Sequence, residues 1–163
     1  MKHPLERFMA KQKPPEREKI RYLLKAGDWS TDYGFYFLDG LPGFVEAGLR
    51  ERSQILIKCN IEYPTIKTVH SAEVQLYESH WLDKHIEQKS QNKEIVIIGK
   101  MDKAKGCDLL IFTVFVSSRL FQNISFSLAF EKTKWISVYG DKLKWGKGDI
   151  YSIDLKTKKN VHE

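Results

Sequence analysis

The sequence predicts an α+β fold: a mainly antiparallel sheet with a C-terminal β-meander, a short N-terminal helix and one or two further helices. Three observations lead to this prediction. In the second half of the chain, apolar residues alternate with polar ones over several short runs, as they do in half-buried strands. Glycine-containing pairs separate the last of these runs, which favours hairpins. Near residue 20 and again near residue 80, apolar residues recur at helical spacing instead.

Length and composition indicate one globular domain. The chain has 163 residues, 42% of them hydrophobic and 29% charged, which excludes disordered, collagen-like and disulfide-rich proteins. A chain of this length buries roughly two thirds of the surface that it exposes when unfolded, so its core needs no metal or disulfide. We expect a basic N-terminal arm over residues 1–15. A single α+β domain should follow over residues 16–163 and end in a short charged tail.

The segment after the arm predicts one short helix. Its apolar residues follow helical spacing: Ile20, Leu23 and Leu24. A proline pair before them and Gly27 after them favour a helix over residues 16–25. The opposite face of that helix would carry three cations in one row: Arg17, Arg21 and Lys25.

The middle of the chain predicts strands and one further helix. The aromatic run YGFYFL at residues 33–38 is typical of a strand, and the Asp-Gly and Pro-Gly pairs after it mark turns. Residues 53–61 predict a half-buried strand with four residues on its apolar face: Ile55, Ile57, Cys59 and Ile61. Residues 65–70 predict a further extended segment. The stretch that follows fits both periods, and we favour a helix over residues 75–89.

The C-terminal half predicts a series of strands. Their expected ranges are 94–101, 108–116, 123–130, 134–139 and 149–155. The run LLIFTVFV at residues 109–116 is apolar on both of its faces. This predicts a central strand that is covered on each side. Turn signals at Gly140 and at Gly146 separate the last strands and predict the meander.

The net charge of +6 is unevenly distributed. Residues 1–26 carry a net charge of +5, residues 27–131 carry −3 and residues 132–163 carry +4. A mildly acidic body with two basic ends is typical of a protein that binds a polyanion or an acidic protein surface. The alternative interpretation is that the terminal lysines only keep the protein soluble.

Cysteine usage and hydropathy predict a cytoplasmic protein in a reducing compartment. Cys59 and Cys107 are far apart, and free buried thiols are the expectation for both. The first residues lack the apolar segment of a secretory signal. The longest apolar run spans about eight residues, whereas a membrane helix needs roughly 20, so we expect no membrane association.

Candidate catalytic residues cluster around residue 80. His80, Asp83 and His85 lie close in sequence, and His70 could join them from a neighbouring element. On a helix, however, His80 and His85 would point about 140° apart, whereas two metal ligands need i, i+4 spacing. A small His-dependent or metal-dependent enzyme is therefore the third of our hypotheses, and we predict no metal site.

Other catalytic patterns are weak in this sequence. The Glu-x-Lys of a nuclease occurs once, at Glu87 and Lys89, in a polar segment rather than in a strand. The chain contains no Gly-x-Ser-x-Gly elbow and no glycine-rich phosphate loop. We therefore expect no cofactor and favour a binding protein over an enzyme.

Lysines and aromatic residues interleave over about twenty residues near the C-terminus. This segment contains Lys132, Lys134, Trp135, Tyr139, Lys142, Lys144, Trp145, Lys147 and Tyr151. Lysines neutralise phosphates and aromatic rings stack on bases, the combination found in sequence-tolerant single-strand binders. The alternative interpretation is a meander in which the rings belong to the core and the lysines protect edge strands.

The first hypothesis is a non-enzymatic protein that binds nucleic acid through its basic ends, as part of a larger assembly. The second is an adaptor, inhibitor or immunity-type protein that uses the same residues against an acidic protein. The predicted binding residues are Lys11, Lys13, Arg17, Arg21, Lys132, Lys134, Trp135, Lys142, Lys144, Trp145 and Lys147.

Overall fold

A computed structural model describes residues 16–38, 48–79, 82 and 96–158 of the chain. In these residues seven strands form a closed barrel. The strands are β1 (Lys19–Leu38), β2 (Gly48–Tyr63), β3 (Ser71–Glu78), β4 (Gly99–Lys103), β5 (Leu109–Val116), β6 (Trp135–Asp141) and β7 (Lys147–Lys156), and helix α1 (Ser118–Ala129) lies between β5 and β6. The predicted α+β fold with several helices is therefore wrong.

The strands follow the order β1-β2-β3-β5-β4-β7-β6 around the barrel, and β6 pairs with β1 to close it. Among the described strands, β3 and β5 form a parallel pair and the other neighbours are antiparallel. An antiparallel sheet is thus the wrong description. Because of these directions, the β2–β3, β4–β5 and β6–β7 connections meet at one end of the barrel with the start of β1. We call this the Trp145 end.

Alternate side chains of each strand point into the barrel and form the core. In β5, Leu110, Phe112, Val114 and Val116 are buried, whereas Phe115 on the outer face is 46% exposed. A closed barrel has one inner and one outer surface, so the prediction that this strand is covered on both faces is wrong. The ring of Tyr22 contacts that of Phe112 edge to face at 5.6 Å inside the barrel.

Two inward-facing glycines make room for Met101 in β4. This methionine is fully buried, and a Cβ atom would lie 2.9 Å from its Cε at Gly140 and 2.8 Å from it at Gly148. The methionine side chain fills the space that side chains of β6 and β7 would otherwise occupy. This packing holds the C-terminal hairpin against β4.

The predicted N-terminal helix is a strand. Residues 19–25 of β1 pair with β6, and Tyr22 and Leu24 are buried while Arg21 and Lys25 are exposed. The residues Ile20, Tyr22, Leu24 and Ala26 form the inner face, and cations occupy the outer face except at Leu23. This period of two determines the structure because both neighbouring strands supply hydrogen bonds.

The strand predicted over residues 123–130 is helix α1. Ser117 caps the helix by accepting a hydrogen bond from the Leu120 N–H at 3.2 Å. The buried residues of the helix follow helical spacing: Phe121, Ile124 and Leu128. Phe126 is 65% exposed, which contradicts the predicted apolar strand face.

Of the other predicted secondary-structure elements, the structure confirms some and contradicts others. The strands predicted at 33–38, 53–61, 134–139 and 149–155 are confirmed, and that at 94–101 is confirmed only from Gly99. Residues 65–70 form tight turns instead of an extended segment. Residues 75–78 belong to β3, so the helix predicted there is wrong, and most of residues 79–89 lie outside the described ranges. The turn pairs predicted at residues 39–43 lie outside them too.

Two further properties concern the whole described chain. Cys59 is buried as expected, but Cys107 lies in the β4–β5 turn and is exposed, so the prediction for that thiol is wrong. In the ranges that the structure describes, no helix has the length and apolar character needed to cross a lipid bilayer.

Candidate nucleic-acid interface

The predicted binding residues of β6 and β7 lie at opposite ends of the barrel. Lys142, Lys144, Trp145 and Lys147 lie at the Trp145 end, while Lys132, Lys134 and Trp135 lie at the other. The seven residues of β6 separate the two groups by about 20 Å. Lys11 and Lys13 lie outside the described residues. The interleaved segment therefore does not form one compact patch.

The structure brings Arg17 and Arg21 beside β6, although not on a helix. Arg21 lies opposite Tyr139 in the β1–β6 register, and its Nη1 donates a hydrogen bond to Ser137 Oγ at 3.3 Å. Arg17 precedes β1 and approaches Asp141 at the end of β6. Both arginine side chains are nearly half exposed, so each can still contact a ligand.

Cations and aromatic rings alternate on the outer surface of β1, β6 and β7. We call this surface the cationic face and define it by Arg17, Lys19, Arg21, Lys25, Tyr139 and Tyr151. Lys19 Nζ lies 5.1 Å from the ring centroid of Tyr151, and Arg21 Cζ lies 5.9 Å from that of Tyr139. The two tyrosine rings lie 6.2 Å apart. Each ring thus holds a cation in place without neutralising it.

The main acidic group of the cationic face is buried. Asp141 is 2% exposed, and its carboxylate accepts hydrogen bonds from Tyr151 Oη at 2.8 Å and from the Asp149 N–H at 3.2 Å. Arg17 Nη1 lies 3.6 Å from the same carboxylate. Desolvation, with the hydrogen bond to Asp141 next, raises the pKa of Tyr151 to about 12. The negative charge of Asp141 is paired with groups of the protein itself and is shielded from solvent. The accessible charge of the cationic face therefore comes mainly from its arginine and lysine side chains.

Two cations of the region have acidic partners in solvent. Lys142 Nζ lies 2.9 Å from Glu18 Oε2, and this hydrogen bond raises the pKa of Lys142. Arg21 Nη1 lies 3.6 Å from Asp154, whose side chain is 53% exposed. Exposed ion pairs of this kind are weak, since water and salt screen them. A polyanion could therefore displace either acid.

The β6–β7 turn holds an aromatic ring in solvent. Lys144 and Lys147 exchange two backbone hydrogen bonds of 3.0 and 3.2 Å around the pair Trp145-Gly146. Both central residues have positive φ, 55° for Trp145 and 76° for Gly146, as in a type I′ hairpin turn. The Trp145 side chain is 92% exposed, and Lys144 Nζ lies 5.4 Å from its ring centroid.

The alternative enzymatic site finds no support in the described residues. His70 is exposed at the start of β3, and His80, Asp83, His85, Glu87 and Lys89 lie outside the described ranges. In the ranges that are described, no three histidine, cysteine or acidic side chains are close enough to hold a metal ion. A cleft of about 530 Å³ beside β1 contains Cys59, but burial raises the pKa of that thiol to about 12 and makes it a poor nucleophile.

Sequence reasoning did not identify Lys19, and it named Lys25, Tyr139 and Tyr151 without including them among the predicted binding residues. The signal was present: cations occupy three of the four outward positions 19, 21, 23 and 25 of β1, and Leu23 occupies the other. The local sequence could not predict that these residues lie beside β6. The two strands are more than 100 residues apart, and their register comes from closure of the barrel.

Comparison with known proteins finds no match, whether with a family model, a curated protein or a solved structure. The geometry of the cationic face and of the turn therefore carries the functional argument.

Proposed function

We propose that this protein binds nucleic acid, without catalysing a reaction on it, through the cationic face and the β6–β7 turn. The observation that carries the proposal is the row of cations along β1, which lies beside two tyrosines and leads towards an exposed tryptophan. Lysine, arginine and aromatic side chains are the groups that contact phosphates and bases in sequence-tolerant binders.

The spacing of the cations favours a long ligand over a single phosphate. Lys19, Arg21 and Lys25 point outward from one strand, where every second residue is displaced by about 7 Å. A row of this kind cannot converge on one small anion. It matches a chain of phosphates that runs along the strand.

Burial of Asp141 supports the same ligand. An exposed carboxylate at the centre of the cationic face would repel phosphate, whereas this one is enclosed by Tyr151 and Arg17. Two of the solvent-exposed acids near the face, Glu18 and Asp154, are paired with cations, and Glu16 before Arg17 is a further exposed acid. The ligand therefore meets a surface whose accessible charge is mainly positive.

The test is binding of a fluorescein-labelled oligonucleotide, measured by anisotropy over a series of salt concentrations. We expect log K to fall linearly with log salt, because bound phosphates release counterions. The variant Lys19→Gln/Arg21→Gln/Lys25→Gln should bind more weakly, and its slope should be smaller by about 2, since each lost phosphate contact removes about 0.7 for a single strand.

A matched variant removes three exposed cations that lie outside the cationic face and the Trp145 end: Lys100→Gln/Arg119→Gln/Lys158→Gln. It has the same net charge as the first variant and should keep nearly the wild-type slope. Equal losses in both variants would show that net charge alone drives binding and would contradict the assigned surface. Absence of any complex at low salt would overturn the proposed function and favour an acidic protein partner.

A further inference from the structure

We propose that the Trp145 ring stacks on an unpaired base, so that the protein prefers single-stranded to duplex nucleic acid. This inference rests on the proposed function and specifies its ligand. It adds a residue with a distinct role, since the cations of β1 would contact phosphates in either form of nucleic acid.

The first step of the argument is the exposure of the ring. At 92% exposed, Trp145 packs against almost nothing in the part of the chain that the structure describes, in contrast to Trp29, which is 38% exposed. Tryptophan is the largest apolar surface that a side chain can offer, and leaving it in water forgoes the burial that stabilises a fold. The ring therefore does little for the barrel.

The second step is the backbone of the turn. The first central position of a two-residue hairpin turn with positive φ favours Asn, Asp or Gly, and a bulky residue with φ of 55° is an outlier. Thr68 and Glu131 also have positive φ, but strained residues cluster at ligand contacts. Here the strain and the exposure fall on the same residue.

The third step is rigidity. The Gly146 carbonyl accepts a hydrogen bond of 2.7 Å from the Lys103 N–H, and a Cβ at Gly146 would lie 3.1 Å from Lys103 Cβ. The turn is thus seated on the end of β4. The backbone that carries the ring is thus fixed before binding, so only the side-chain torsions of Trp145 lose freedom when a ligand stacks on it.

The fourth step is the chemistry of the surroundings. Lys144 lies against the ring, and Lys103 and Lys147 are held beside it by backbone hydrogen bonds. This combination of an open π surface with cations fits a flat base attached to a phosphate chain. In a duplex the bases stack on one another and present only their edges, so a ring on a protruding turn cannot reach their faces.

The test uses Trp145→Asn, which creates the Asn-Gly pair that this type of turn prefers. Its affinity for oligo(dT) should fall about tenfold, the range expected for loss of one stacked base. Its affinity for a duplex of equal length and its salt slope should stay at the wild-type values. The free energy of unfolding should be equal to or higher than that of the wild type.

Two further measurements sharpen the result. Trp145→Phe keeps a ring and should retain most of the single-strand affinity. Oligo(dT) should quench part of the wild-type tryptophan fluorescence, and this part should be absent in Trp145→Asn. Because the other tryptophans remain in the variant, the difference reports on position 145.

The outcomes separate the two proposals. If the wild type binds oligo(dT) and Trp145→Asn binds it equally well, stacking is wrong and the proposed function stands. Equal losses for single strand and duplex would also overturn stacking. If the wild type binds neither nucleic acid, both proposals fail. A lower free energy of unfolding in Trp145→Asn would show that the ring stabilises the barrel, which contradicts its assignment to the ligand.

Discussion

The phenol of Tyr151 donates a hydrogen bond of 2.8 Å to the Oδ1 atom of Asp141 and so connects the two strands of the C-terminal hairpin. The other carboxylate oxygen accepts the Asp149 N–H and lies 3.6 Å from Arg17. A single buried carboxylate therefore ties together the start of β1, the end of β6 and the start of β7. These are the segments that carry the cationic face.

We predict that Asp141→Ala strongly destabilises the barrel. The change leaves the Tyr151 hydroxyl and the Asp149 N–H without an acceptor. An unpaired buried donor costs about 1–3 kcal/mol, and the lower end applies to these two because they are partly buried. Urea denaturation should show a loss of about 3 kcal/mol in the free energy of unfolding. Asp154→Ala is the control, since its exposed pair with Arg21 should contribute less than about 1 kcal/mol. Similar losses in both variants would contradict the role of Asp141.

We predict that the protein loses stability between pH 10 and pH 12. Burial raises the pKa values of Tyr22 and Tyr151 from 10.0 to about 12. The folded state then binds these protons more tightly than the unfolded state does. Their contribution is fully present below pH 10 and is lost as the pH rises towards 12. Urea denaturation over this pH range should show a falling free energy of unfolding.

The same experiment has a matched pair of variants. Tyr22→Phe removes the fully buried one of the two phenols whose pKa is raised and should reduce the pH dependence. Tyr63→Phe removes a phenol that is 61% exposed and should leave the dependence as it is in the wild type. An unchanged slope in Tyr22→Phe would show that this phenol is not the titrating group.

We predict that the two thiols react at very different rates. Cys59 is 5% exposed, and burial raises its pKa to about 12, whereas Cys107 is exposed in the β4–β5 turn. A thiol-specific chromogenic reagent at neutral pH should therefore modify one cysteine rapidly and the second only on unfolding. Cys107→Ser should abolish the rapid phase. Two rapid modifications in the wild type would contradict the burial of Cys59.

The strands that sequence reasoning identified are those whose apolar residues fit one period. Residues 53–61 alternate except at Leu56, and the structure confirms them as part of β2. The start of β1 fits two periods, since Ile20 and Leu24 are compatible with a helix as well as with a strand. Pairing with β2 and β6 decides between them, and those partners are distant in sequence.

Helix α1 shows the opposite error, because its residues were predicted as a strand and form a helix. Ile124, Phe126, Leu128 and Phe130 alternate along the chain, yet Ile124 and Leu128 face the barrel while Phe126 and Phe130 face solvent. The Ser117 cap was a local signal for the helix that outweighs the alternation. The residues of the cationic face were recognisable by type, but the surface that they share depends on closure of the barrel.

We predict that Gly146→Ala destabilises the protein more than Gly106→Ala does. Both glycines have a similar positive φ, 76° and 73°, so an alanine at either site costs about 1 kcal/mol of backbone strain. A Cβ at Gly106 would meet nothing within 4 Å, whereas one at Gly146 would lie 3.1 Å from Lys103 Cβ. Urea denaturation should therefore show an extra loss for Gly146→Ala. Since that clash pushes the turn away from β4, its single-strand affinity should fall as well, while Gly106→Ala should bind like the wild type. Equal losses of stability would show that contact with Lys103 does not hold the turn in place.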